Sequence, residues 1–147
     1  MWQKLIRTQA EVAPLVARLA LGIAIFPHGA QKLLGWFGGY GLAGTLGYFT
    51  SQGIPSILAL LAIVAEFFGS LGLITGLLSR VAAFGISCVM VVAVATVHLG
   101  NGFFMNWLGN QQGEGFEYHF LALGLASITM VRGAGAYSVD RVLHQKG

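Results

Sequence analysis

The chain has 147 residues, 56% of them hydrophobic and 9% charged, with a mean hydropathy of +0.75. Ordinary globular domains carry about 25% charged residues, so this inventory is too poor in charge to clothe a water-facing surface. The net charge of +3 is spread along the chain without a basic stripe or tail, which leaves nucleic-acid binding without support.

No polar linker divides the sequence, so one fold unit is expected over residues 1–147. Cys88, the single cysteine, lies in the apolar run Val81–Val97, has no partner for an internal disulfide, and reads as a small buried side chain.

At the N-terminus, Lys4 and Arg7 ahead of an apolar stretch imitate a signal peptide. Arg18 interrupts that stretch and further spans follow, so the segment is expected to remain as span 1, over about residues 12–27. Pro14 falls in its first turn, where a missing N–H does little harm. The tract from Pro27 to Gly53 is rich in glycine and aromatic residues. Its glycines discourage a continuous span, and short helices or a re-entrant loop at the membrane surface are expected instead.

Span 2 is expected over residues 55–78, roughly 24 residues or about 36 Å of helix. Ala62, Ala65, Gly69, Gly72 and Gly76 recur at helical steps and would let a neighbouring backbone approach. Span 3, residues 81–99, follows after a turn so short that the two must form a hairpin. Phe103, Phe104 and Trp107 in the next loop are expected interface anchors. Span 4, residues 116–132, is weaker because it opens with Glu117 and His119. A polar tail, YSVDRVLHQKG, closes the chain.

An all-α integral membrane four-helix bundle is therefore expected, with an interfacial segment between spans 1 and 2. A soluble bundle would need polar faces about half its helices' width, yet Ala82–Val97 offers only Ser87 and Thr96 as polar side chains. Lys4, Arg7, Arg80, Arg132, Arg141 and Lys146 fall at the termini and the span 2–3 turn, whereas Lys32 alone falls in a long loop. The positive-inside rule then predicts cytoplasmic termini.

Polar residues inside these spans are the functional candidates. Glu66 sits near the middle of span 2, where a bare carboxylate costs several kcal/mol unless protonated, paired or facing a polar cavity. Arg18 is its natural charge partner, or else snorkels toward the nearer membrane face. His28, His98, Glu117 and His119 all map to the outer end of the bundle, and Lys32 lies one turn beyond His28 if that stretch is helical. With Glu66 below them, they would form a proton-accessible pocket capped by Trp36, Phe37, Phe103, Phe104 and Trp107. Taken singly, each is also an ordinary interface residue.

Such a pocket suits a quinone. The head group needs hydrogen-bond donors at its carbonyls and protons on reduction, which histidine and carboxylate supply. The same side chains would also suit an ion or substrate pathway. Haem ligation by His28, His98 or His119 has no CxxCH attachment signature behind it, and the histidines lack the close spacing of a zinc or copper site. No covalent cofactor and no metal are expected.

The stretches FPHGAQKLLGWFGGYG, GIP, AEFFGSLGLITGLLSR, HLGNGFF and GFEYHFLALGL, with RGAGAYSVD near the end, resemble the bacterial DoxX family of small membrane proteins over nearly the whole chain. The resemblance implies four helices in the bacterial cytoplasmic (inner) membrane. It carries over to His28, Gly29, Lys32, Glu66, Gly69, Arg80, His98, Asn101, Gly102, Glu117 and the glycines before Tyr137. The family name reaches to a subunit of an archaeal thiosulfate:quinone oxidoreductase, and relatives are linked to membrane oxidoreductase complexes. A lone cysteine departs from any mechanism that needs a thiol pair.

Three functions compete on this reading. The first is a quinone-binding subunit of a membrane oxidoreductase, with the electron donor on a partner redox protein and Glu66, His28, His98 and Glu117 lining the site. The second is a non-enzymatic organiser that recruits a partner enzyme through its outer loops. The third is a small-solute or proton transporter, which would require a homo-oligomer. The lipid bilayer is the partner common to all three.

Overall fold

The structure, a computed structural model, describes residues 2–146 and contains no strand among them. Its helices are α1 (Trp2–Ile6), α2 (Val12–Leu34), α3 (Gly41–Ser51), α4 (Ser56–Thr75), α5 (Ser79–Ala93), α6 (Glu117–Arg132) and α7 (Val139–Lys146). A 3-10 turn at Trp36–Gly38 precedes α3, and α5 runs on through a π-helical turn, Val94–His98, and a 3-10 turn, Leu99–Asn101. Helices α2, α4, α5 and α6 pack as a ring, each against the next and α6 back against α2. One end, here the terminal end, holds α1, α7 and the α4–α5 turn, and the opposite loop end holds α3 and the segment before α6.

Three helical stretches are long and apolar enough to cross a membrane: Val12–Leu34, Ser56–Thr75 and Ser79–Asn101. The bundle is arranged for lipid rather than water. Leu21, Ile25, Leu73, Ala83, Ile86, Met90, Ala122 and Ala126 form the core. Large apolar side chains such as Ile23, Leu61, Phe68, Phe84, Val91 and Phe120 stand exposed on the outside. An outward apolar coat of this extent belongs against a bilayer.

Glycine sets the spacing between α2 and α4. A Cβ on Gly29 would lie 2.6 Å from the Phe67 Cα and backbone N, so the two backbones touch there in the manner of small-residue membrane contacts. Gly22, two turns earlier, does the same against Ser70 and Leu73.

Two expectations are corrected: Cys88, read as buried, is exposed on α5, and the first helix outruns its expected end. The first helix does not stop near Pro27 but continues through it to Leu34. Proline removes one N–H from the ladder without ending a helix that neighbouring elements hold on both sides. The breaker is Gly35, left-handed at φ +73°. The C-terminal tail is also helical, as α7, and Ser138 Oγ accepts the Arg141 N–H at 3.3 Å as an N-terminal cap would. The expected short helices between Pro27 and Gly53 are present as the 3-10 turn and α3.

The terminal end is held by charges that bind backbone. Arg18, 1% exposed, donates Nε–H to the Ala134 carbonyl at 2.7 Å and both Nη1 hydrogens to Leu73 and Ile74 at 2.8 Å. Its Nη2 reaches Ala136 at 3.1 Å and Tyr137 at 2.7 Å. A guanidinium has five N–H donors, and every one is used. Two of its acceptors are last-turn carbonyls of α4, which have no partner within their own helix. Buried Asp140 complements this from the other side of the turn, accepting the backbone N–H of Leu78 at 2.7 Å and of Ser79 at 2.9 Å where α5 begins. Arg80 donates to the carbonyls of Met130, Val131 and Arg7, tying the end of α6 to the N-terminal segment.

Candidate functional site

Residues buried on α4 are Ala59, Ile63, Glu66, Ser70 and Leu73, a three- and four-residue alternation that marks one helix face. Glu66 is therefore turned into the bundle from the middle of a spanning helix, about 15 Å of helix from Ser56. The Gly29 contact carries α2 against α4 at that level and places His28 and Lys32, one turn apart, on either side of it. Lys32 Nζ meets Glu66 Oε2 at 2.5 Å, and the two side chains are 26% and 6% exposed. The carboxylate is thus paired as its depth requires. Thr45, the buried residue of α3, donates its hydroxyl to the Lys32 carbonyl at 3.1 Å and seats α3 over the lysine.

Helix α6 supplies the facing wall. The Tyr118 ring lies 6.2 Å from that of His28. The Tyr118 hydroxyl is enclosed and has no hydrogen-bond partner. His28 itself is exposed on the outer surface of the bundle, so the pair is flanked by a side chain that reaches the lipid-facing side.

A second group adjoins the first. His119, 7% exposed, packs against His98 with ring centroids 4.2 Å apart and the rings tilted by 44°, and its Nδ1 has no partner. His98 Nδ1 lies 2.8 Å from the Glu114 carbonyl. A carbonyl only accepts, so that nitrogen carries the hydrogen, and Nε2 holds the lone pair in the neutral ring. The π-helical turn Val94–His98 delivers His98 to this point, a local widening that often marks functional positions.

The remaining sequence candidates fall elsewhere. Arg18 does not meet Glu66: its acceptors on α4 lie two turns farther along, at the terminal end, and its donors are all committed. Glu117 accepts the Met105 N–H at 3.2 Å and pins the loop before α6. Phe103 packs with Phe104, Phe116 and Phe120 in an aromatic cluster. Trp36, Phe104 and Trp107 stand outward, 54%, 68% and 82% exposed, rather than closed over the ion pair as a cap. Tyr118 and Thr45 escaped the sequence reading. The run Glu117-Tyr118-His119 held a signal only in adjacency to two titratable residues, and Thr45 held none. Among the described residues no group of three or more histidine, cysteine or acidic side chains is placed to hold a metal ion.

Comparison with known proteins places the chain in a family. The sequence profile of the DoxX family matches residues 13–99. The chain is 29% identical over 136 residues to "Inner membrane protein YqjF" of Escherichia coli (strain K12), covering 92% of this chain and 95% of that one. It is 30% identical over 111 residues to "Putative oxidoreductase CatD" of Bacillus subtilis (strain 168), covering 76% of this chain and 73% of that one. No solved structure matches it significantly. The apolar coat, the three membrane-length helices and the profile match together make this chain a multi-pass membrane protein of the DoxX family.

Proposed function

We propose that the chain is the membrane-embedded subunit of an oxidoreductase system and binds a quinone at the loop end. The observation that carries this reading is the Lys32–Glu66 ion pair, part-buried between spanning helices and flanked by His28 on the outer surface. A lipophilic substrate can reach such a place from the bilayer, and a water-soluble one cannot do so easily.

The residues fit the group. Lys32 has donors beyond the one given to Glu66, the Tyr118 hydroxyl is enclosed without a partner, and the His119 Nδ1 is likewise free. A bound quinone would supply two carbonyl acceptors and take up two electrons and two protons, the electrons coming from a partner redox protein. Glu66 and His28 are the groups of this chain suited to holding and passing protons at that site. The oxidoreductase name of the Bacillus subtilis relative points the same way.

The test is mass spectrometry of small molecules extracted from protein purified in mild detergent, beside a Glu66→Gln control. A quinone retained by the wild type and lost from the variant is the expected result. Its absence from both would sink the reading.

The proposal includes α6 as a fourth crossing, with the terminal end cytoplasmic because Lys4, Arg7, Arg141 and Lys146 cluster there with Arg80 and Arg132. A second reading, an organiser that recruits a partner enzyme, is favoured by one observation: Trp107 and Leu108 are 82% and 86% exposed at the tip of the loop before α6. On that reading Trp107→Ala would abolish recovery of the partner, while Glu66→Gln would leave it intact.

A further inference from the structure

Tyr118 has a chemistry that neither the ion pair nor the packing uses. It sits in the first turn of α6, and its ring faces His28 at 6.2 Å and His119 at 5.6 Å. Its hydroxyl oxygen is out of contact with solvent and hydrogen-bonded to nothing among the described residues. A buried polar group left in that state costs about 1–3 kcal/mol, and native structures seldom leave one without a reason. A packing role would be served as well by phenylalanine at no such cost.

Geometry decides what the hydroxyl offers. His28, on α2, faces the ring, and one turn further along that helix Lys32 pairs with Glu66 of α4. A tyrosine hydroxyl carries its proton and can donate it. No Glu66 oxygen is within hydrogen-bond reach of the hydroxyl, which is left as an unspent O–H on α6.

We infer that Tyr118 is a ligand-contacting residue whose O–H donates to a carbonyl oxygen of the bound molecule, with Lys32 as the cationic group on the facing helix. The inference rests on the quinone reading and deepens it, because it commits the hydroxyl on α6 to one atom of the bound molecule.

The experiment measures equilibrium binding of ubiquinone-1 and, in parallel, menadione to the full chain in detergent, for wild type and Tyr118→Phe. Thermal unfolding and the infrared carbonyl stretch of the bound quinone are recorded on the same samples. The expected results are binding weakened up to about tenfold, the measure of one neutral hydrogen bond, and an unfolding midpoint unchanged or raised. The carbonyl stretch, lowered on the wild type, should move back toward its detergent value on the variant. Equal binding with an unshifted carbonyl band would overturn the inference while leaving the quinone reading intact. So would an unfolding midpoint that falls while binding holds, since the hydroxyl would then be structural. A wild type that binds neither quinone overturns both.

Discussion

At the terminal end of the bundle, Arg18 uses five donors on five carbonyls and Asp140 uses both oxygens on two N–H groups. At the loop end, Lys32 meets one carboxylate oxygen, and two buried polar atoms, on Tyr118 and His119, have no partner at all. Both ends bury charge between apolar helices. At the terminal end Arg18 and Asp140 spend their hydrogen bonds in full, although Ser79 Oγ and Arg80 Nε nearby are buried without a partner, whereas at the loop end the Lys32 ammonium gives one donor of its three to a side chain. A filled set of partners fixes geometry and has nothing left to offer a ligand, while an unfilled set is stable only if something else arrives to complete it. The contrast separates charges that hold the protein from charges that serve it.

The sharpest way to break that contrast is Arg18→Met. The variant removes the cation but strands five carbonyls in an apolar interior, and the expected loss is several kcal/mol, seen as failure to recover folded protein or as a collapse of the thermal midpoint in detergent. Lys at the same position, with three donors instead of five, should rescue only part of it. Asp140→Ala comes next. It frees the N–H groups of Leu78 and Ser79 and removes the carboxylate that starts α5, at a cost of about 2 kcal/mol. The smallest effect on stability belongs to the loop end. Replacing the ion pair by apolar side chains, as Lys32→Met with Glu66→Leu, should leave the midpoint within about 1 kcal/mol of wild type or raise it, while quinone retention is lost. A double variant as unstable as Arg18→Met would erase the distinction between the two ends.

The helices were legible because apolar length is a strong signal; their ends were less so, since the left-handed glycines that stop α2 and α4, Gly35 and Gly76, lie away from the ends expected near residues 27 and 78. Pro27 misled for a reason internal to the fold: a proline halts a helix only when nothing else holds it, and α2 is held by α4 and α6 on both sides of that residue. Helix α7 was missed although Ser138 stood in capping position ahead of it. At the site, Glu66 was legible from depth alone, and Lys32 from its one-turn spacing to His28. The fate of Arg18 was not, because its acceptors are backbone carbonyls, which carry no mark in a sequence, and three of them belong to a segment more than a hundred residues away. Tyr118 was invisible for a related reason, since whether a hydroxyl finds a partner is settled by packing.

The cage around Arg18 also sets a schedule for the making of the protein. The carbonyls of Leu73 and Ile74 lie 55 and 56 residues downstream, whereas those of Ala134, Ala136 and Tyr137 lie 116 to 119 residues downstream. While the ribosome works through the intervening chain, the guanidinium has no protein acceptors, then two, and must shelter in water at the translocon or the headgroups. The first helix thus enters the bilayer with an unfinished address, and only the arrival of the last glycine-rich corner lets it settle. A nascent chain halted before residue 134 leaves the guanidinium with two of its five acceptors.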